Sequence, residues 1–301
     1  MTSARERRLS FAVLVLPALL IYLAVVAFPT LFSIMLSFIN YNGGKIFGGT
    51  GFDFVGLRSY IWMFTEPTGA FFTALKNNLL IVAVSLFGQI PLGFILAYIL
   101  NRKLIRRGRG LFQAMIYFPN VISPIIIGVL FSAFILSPNS VYMDIVRLFN
   151  PTAEFTVNQQ PMIPVLAVIL WMFTGFYMII FLAYMQRIDP QVIEAARIDG
   201  AKEGKVLQHI VLPAMIPEIV TCSILAISGS LKTFDLIFGM TGGGPAGMTR
   251  VLSLFMYQSA FQGAPNYPLA NAISTVMVLI SIVLIIIVRI VSRLFSGKAG
   301  E

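Results

Sequence analysis

Chemistry needs polar side chains, and in this chain they are scarce enough to take one group at a time. The densest group lies between Asp189 and Pro217, where Asp189, Glu194, Arg197, Asp199, Lys202, Glu203, Lys205 and His209 alternate in sign within an otherwise apolar sequence. A sparser group, Glu218, Lys232 and Asp235, follows it. The sole histidine, His209, excludes a multi-histidine metal site, and the sole cysteine, Cys222, excludes an intrachain disulfide. No Gly-x-x-x-x-Gly-Lys-Ser/Thr phosphate loop occurs, since the Gly44-Lys45 and Gly297-Lys298 pairs lack its other elements. His-Glu-x-x-His and Gly-x-Ser-x-Gly are absent as well. What remains is charge pairing and hydrogen bonding without a covalent step. No catalytic residue, no metal and no cofactor bound by this chain is expected.

The elements that must position these groups are membrane helices. Of 301 residues, 58% are hydrophobic and 11% charged, with a mean hydropathy of +0.89; a soluble globule carries about 25% charged residues. The net charge of +9 is distributed in short clusters between apolar runs, where it orients helices in a bilayer, and nucleic-acid binding is discounted. A first helix is expected at about 11–38, too long for a cleaved signal core of roughly 7 to 15 residues. A glycine-rich outer loop at 40–70 follows, then a second helix at 71–100 that stops in the basic cluster 101–109. The third helix, 111–136, must be kinked or broken at Pro119 and Pro124. An outer loop at 137–160 leads to a fourth helix at 162–186, a fifth at 214–239 and, after a further outer loop, a sixth at 267–290. Fifteen of the 21 Lys and Arg residues then fall on one side. The fold class is all-α integral membrane, with six transmembrane helices and both termini cytoplasmic.

Within the polar interruption, Asp189 followed by Pro190 is a helix start, and Gly200 suits a left-handed stop. A second short helix from about 201 to 210 would end before Pro213. Helix, glycine turn and helix together form an element suited to docking. The spacing Glu194-Ala195-Ala196, Asp199-Gly200, Ile210 and Leu212-Pro213 resembles the EAA loop of ABC-importer permeases. That resemblance implies a cytoplasmic coupling helix seated in a cleft of a separate ATPase subunit. Small Ala195 and Ala196 would permit close approach of a partner helix, and Glu194 offers it a charge. Gly204 departs from the family, which often carries a bulky aromatic there.

The resemblance extends further. Leu231-Lys232-Thr233-Phe234-Asp235-Leu236-Ile237-Phe238, leading into Thr241-Gly242-Gly243-Gly244-Pro245, is similar to the fifth-helix signature of carbohydrate-importer permeases of the maltose and glycerol-phosphate type. Tyr267-Pro268-Leu269-Ala270-Asn271-Ala272-Ile273-Ser274 is similar to that family's sixth-helix entry. The implied fold is the type I ABC importer permease. Residues 1–70 would be the N-terminal tail, first helix and outer loop, 71–291 a five-helix core carrying the coupling loop at 189–213, and 292–301 a cytoplasmic tail. The implied partners are a second homologous permease, two ATP-binding subunits that use ATP and Mg, an extracytoplasmic solute-binding protein and the lipid of a prokaryotic cytoplasmic (inner) membrane. The implied cargo is a sugar, oligosaccharide or sugar derivative. The alternative reading is a secondary transporter driven by an ion gradient, which would call for intramembrane acids and commonly for internal repeats.

Polar and aromatic residues at membrane depth are expected to face the interior of the bundle. The candidates for a substrate path are Asn78, Gln89, Tyr117, Asn120, Trp171, Tyr177, Lys232, Asp235 and Asn271, each of which could equally be packing glue. Lys232 and Asp235, three residues apart on a continuous fifth helix, would share a face and either neutralise each other or meet the sugar.

Overall fold

A computed structural model describes residues 4–41, 43, 53–102, 108–136, 144, 147–148 and 161–296; most of the basic cluster after Arg102, most of the 137–160 loop and the basic tail beyond 296 lie outside the described residues. Apart from an isolated antiparallel bridge between Ile39 and Phe54, regular structure among the described residues is helical. In chain order the helices are α1 (Ala4–Tyr22), α2 (Phe28–Leu36), α3 (Arg58–Thr65), α4 (Ala70–Val84), α5 (Ile90–Asn101), α6 (Arg109–Val121), α7 (Pro124–Phe131), α8 (Met162–Met185), α9 (Pro190–Ile198), α10 (Glu203–Val206), α11 (Leu212–Leu231), α12 (Asp235–Thr241), α13 (Leu252–Phe261) and α14 (Tyr267–Ser296).

Five runs are long and apolar enough to cross a bilayer: Val13–Leu36, Ala70–Asn101, Met162–Met185, Glu203–Leu231 and Tyr267–Arg293. Three of them contain a π-helical turn, at Leu23–Ala27, Ser85–Gln89 and Leu207–Val211. Each of these turns is followed by a helix with proline in its second position, Pro29, Pro91 and Pro213. Proline has no N–H to give the carbonyl four residues back, and its ring collides with that carbonyl. Widening the preceding turn relieves the collision and lets the helix continue. This is why the second docking helix does not end before Pro213, as expected, but runs on from Glu203 to Leu231 as one span.

The third expected helix is two helices. α6 and α7 are bent by 89° at Ile122 and Ser123, and only if this pair is one crossing does the number of spans rise to 6. Ser123 is extended (φ −55°, ψ 128°), as the residue before a proline tends to be. The fifth expected helix is also interrupted. α11 stops at Leu231, Phe234 leaves the helical region (φ −127°, ψ −60°), and α12 begins at Asp235. Two expected outer loops contain helices, α3 and α13, that their glycine-rich flanks conceal.

The chain clusters into two compact units, Met1–Pro67 with Met256–Val276, and Thr68–Phe255 with Met277–Glu301. In the first, Ser33 Oγ donates to Asn271 Oδ1 at 2.5 Å, and Ser37 Oγ lies 2.7 Å from Tyr60 Oη. In the second, α5, α8 and α11 meet around Ala97, Leu100, Phe181, Met185, Met215 and Cys222. Lipid removes most of the hydrophobic drive for such contacts, so close van der Waals packing must hold them. Gly128 of α7 and Gly239 of α12 are the extreme case. A Cβ on Gly128 would lie 2.7 Å from the Leu236 carbonyl oxygen, and one on Gly239 would lie 2.6 Å from that of Ile125.

Candidate functional site

The 189–213 segment keeps the helix start and stop read from its sequence. Asp189 caps α9 by accepting from the Gln191 N–H at 2.9 Å, with Pro190 in the first turn. At the other end Gly200 takes φ +82°. The Gly200 N–H donates to the Arg197 carbonyl at 3.0 Å and the Ala201 N–H to that of Ala196 at 2.9 Å. These are the paired closing bonds of a Schellman stop, which ties off carbonyls that the helix leaves without partners.

The two alanines have different surroundings. Ala196, with Ile193 and Ala201, packs against the core of the second unit, whereas Ala195 is exposed. Glu194 and Asp199 are exposed too, so the outward face of α9 is Gln191, Glu194, Ala195 and Ile198. Ile198 is 87% exposed and Val192 49%. Of the remaining loop residues, Ile210 packs against the core, Leu212 is 42% exposed and Pro213 is half-buried. Gly204 is exposed, and a Cβ there would meet nothing within 4 Å, so a larger residue would fit without rearrangement.

What holds the element to the bundle is a group that local spacing does not disclose. Glu203 Oε1 accepts from Arg197 Nη2 at 2.8 Å, and its Oε2 accepts from Arg102 Nη2 and, at 3.3 Å, from the Tyr98 hydroxyl. Arg102 sits 5.6 Å over the Tyr98 ring, and its side chain is only 10% exposed. Its Nε is buried and has no hydrogen-bond partner among the described residues. One carboxylate thus joins the C-terminal end of α5, the last turn of α9 and the first turn of α10. Over 29 residues the run Glu203–Leu231 is about 43 Å long, against a hydrocarbon core of about 30 Å. Its first turns, with exposed Lys205 and His209, therefore stand outside the membrane. Desolvation would raise the Glu203 carboxyl, but the hydrogen bonds and charges of Arg197 and Arg102 outweigh it and hold the group below its ordinary range.

Of the nine candidate path residues, eight lie in the second unit and Asn271 in the first. Asn78 is fully buried, donating to the Ser230 carbonyl at 2.9 Å and accepting from the Leu252 N–H at 2.7 Å. Asn271 donates to the Tyr267 carbonyl at 2.8 Å within its own helix. The Asn78 bonds tie α4 to the end of α11 and the start of α13. Gln89 donates to the Ile169 carbonyl at 2.8 Å and shares with Tyr177 a cavity of about 90 Å³. That is room for a few water molecules, far below the roughly 300 Å³ of a small-molecule pocket. Trp171 is 49% exposed, its ring 5.6 Å from that of Phe131, and Tyr117 and Asn120 are half-buried just before the α6–α7 bend. Lys232 and Asp235 are both exposed. They lie on either side of the break rather than on one helical face, and no ion pair joins them among the described residues.

The multiple sugar-binding transport system permease protein MsmF of Streptococcus mutans is 32% identical over 254 residues, covering 84% of each chain. The lactose transport system permease protein LacF of Rhizobium radiobacter is 32% identical over 276 residues, 90% of this chain and 89% of the relative. A subunit of a bacterial alginate ABC transporter, solved in complex with a periplasmic protein bound to alginate pentasaccharide, shares the fold. Its TM-score is 0.78 at 22% identity, over 97% of this chain and 96% of that one. Residues 89–300, which hold the polar loop 189–213, the α11–α12 break and α14, match the description binding-protein-dependent transport system inner membrane component, and the chain belongs to that family.

Proposed function

We propose that this chain is one membrane half of an ATP-driven importer of a sugar, oligosaccharide or sugar derivative. It is a multi-pass, non-catalytic component of the inner membrane. In this reading it pairs with a second, homologous permease. Two ATP-binding subunits dock on the loops and use ATP and Mg, and an extracytoplasmic solute-binding protein delivers the cargo. Both termini and the coupling loop then face the cytoplasm. The cargo class rests on the sugar and lactose permeases among the relatives and on the alginate transporter among similar folds. No observation favours the ion-gradient alternative.

The observation that carries the docking role is the outward face of α9, with Glu194 and the 87% exposed Ile198 side by side above a Glu203 clamp. An ATPase cleft that buries Ile198 would gain about 1.5–3 kcal/mol from that side chain, and a basic group beside it would pair with Glu194. When the cleft closes on ATP, the clamp would pass the displacement of α9 to α5 and to α10, which runs on through the π-helical turn into α11. Ile198→Asp is expected to reduce co-purification of the ATP-binding subunits more than tenfold and to abolish sugar-stimulated ATP hydrolysis, with this chain still inserted and folded. Normal co-purification and uptake would remove the docking assignment.

A further inference from the structure

α3 has no role in the docking and transport reading above, yet its construction is specific. The first span, Val13–Leu36, is 24 residues or about 36 Å long, so by its last residues the chain has crossed a core of about 30 Å. Immediately beyond it the chain folds back on itself. The Asn40 N–H donates to the Asp53 carbonyl at 2.8 Å and the Val55 N–H to the Phe38 carbonyl at 2.9 Å. The Phe38 and Tyr60 rings are 5.4 Å apart, and the Tyr60 and Ser37 hydroxyls are 2.7 Å apart. α3 is therefore fastened to the end of a membrane span. At 8 residues, about 12 Å, it is far too short to be a span itself.

Held at that level, α3 has three distinct faces. Met63, 1% exposed, and half-buried Tyr60 face inward. Arg58, Ser59 and Trp62 line a polar cavity of about 390 Å³ together with Asn40 and Asn266. On the remaining side Leu57 and Ile61, one helical turn apart, are 58% and 60% exposed, and Phe54 in the preceding bridge is 79% exposed. A water-facing helix would not present its aliphatic side chains this way while keeping its polar ones around a cavity. The first span, to whose end α3 is fastened, is itself open along its length, with Leu31 and Met35 at 65% and 42% exposure. An aromatic-rich helix at the end of a span is the usual occupant of the headgroup boundary.

We propose that α3 is an interfacial helix, lying in the membrane surface with Phe54, Leu57 and Ile61 among the lipid acyl chains and Arg58, Ser59 and Trp62 turned towards water. Its occupant is lipid, not a protein partner.

The test uses spin labels on single cysteines at Leu57, Ile61 and Ser59 in a Cys222→Ala background. The labelled chain is co-expressed with its partner subunits and held in lipid nanodiscs. Molecular oxygen concentrates in the bilayer and a nickel chelate stays in water. The labels at Leu57 and Ile61 are expected to relax more with oxygen than with nickel, and the order should reverse at Ser59. Stronger relaxation by nickel at Leu57 and Ile61 would overturn the proposal by placing the stripe in water. Protection from both reagents would overturn it equally, by placing the stripe against protein. Repeating the measurement with the solute-binding protein added separates a permanent protein contact from a transient one. Because the labels report the position of α3 without uptake, the outcome is independent of which sugar is carried.

Discussion

The Glu203 clamp can be probed by Glu203→Ala. The substitution removes a bond to Arg197, whose side chain is 48% exposed, and one to Arg102, which is 10% exposed. A hydrogen bond to a charged group contributes about 1.5–3 kcal/mol. Glu203 itself is 58% exposed, which moves the Arg197 part towards the surface-pair range of about 0.2–1 kcal/mol. The Arg102 part keeps more of its value, because a buried guanidinium whose Nε already lacks a partner would lose another one. Together these amount to about 2 kcal/mol, or roughly thirtyfold in the equilibrium for releasing α9 from the bundle. Hydrogen exchange of the α9 amides in the assembled transporter should accelerate by that factor, while the α8 amides stay protected. Uptake per ATP hydrolysed should fall, since the docked loop would move without moving the helices. Arg102→Met combined with Glu203→Ala should recover part of the protection, because no buried charge is then left unpaired. Unchanged α9 exchange in the single variant would refute the clamp. The pH dependence follows from the same geometry. The folded-state carboxyl is held below its ordinary value of 4.5, so its contribution is complete above that pH and is lost as the pH falls below it. Corrected for intrinsic rates, α9 exchange should therefore be flat between about pH 6 and 8.

Three other substitutions test the frame around the clamp. Gly200→Val forces a β-branched residue to φ +82° and should cost about 1–3 kcal/mol locally, seen as faster α9 exchange and lost uptake; normal uptake would contradict the strain. Gly239→Leu cannot keep the 2.6 Å approach to the Ile125 carbonyl and should separate α12 from α7, lowering the melting temperature of the purified complex, whereas an unchanged value would mean the two helices do not pack this closely. Asn78→Leu orphans the Leu252 N–H, at about 1–3 kcal/mol, leaves the Ser230 carbonyl to weaker backbone bonds such as that from the Thr233 N–H at 3.4 Å, and should destabilise the complex without changing the half-saturating sugar concentration; a shift in that concentration would place Asn78 on the path.

How much of this the sequence discloses depends on how far apart the cooperating residues lie. The start at Asp189 and Pro190 and the stop at Gly200 are readable because capping is local, decided within four or five residues. The long spans are readable because hydropathy sums over a whole helix. Glu203 is not, since its buried partner Arg102 is 101 residues away and its other partner Arg197 sits at a spacing no helix uses. The breaks at Ile122–Ser123 and at Lys232–Phe234 were half visible. Pro124 marks the first, but nothing between Leu231 and Asp235 is a helix breaker, and the interruption coincides with tertiary bonds such as Ser253 Oγ to the Thr233 carbonyl at 2.5 Å. The helix α3 is hidden for a related reason. Its flanks are glycine-rich, and its apolar side chains suit a membrane surface that periodicity alone does not report.

The unbroken run from Glu203 to Leu231 behaves mechanically as a lever. Its short arm ends in the clamp, its long arm crosses the membrane, and its far tip is the joint at Lys232–Phe234. With the pivot where the rod enters the membrane, a tilt of about 5° moves the long arm's tip, about 30 Å away, through about 3 Å, against about 1 Å at the clamp. The helix passes both its prolines, Pro213 behind the widened turn at Leu207–Val211 and Pro217 inside α11, without leaving the helical path. A modest rocking at the docking loop would therefore arrive at the opposite face of the membrane amplified rather than absorbed, and the slack needed to turn it into opening or closing would be concentrated in three residues.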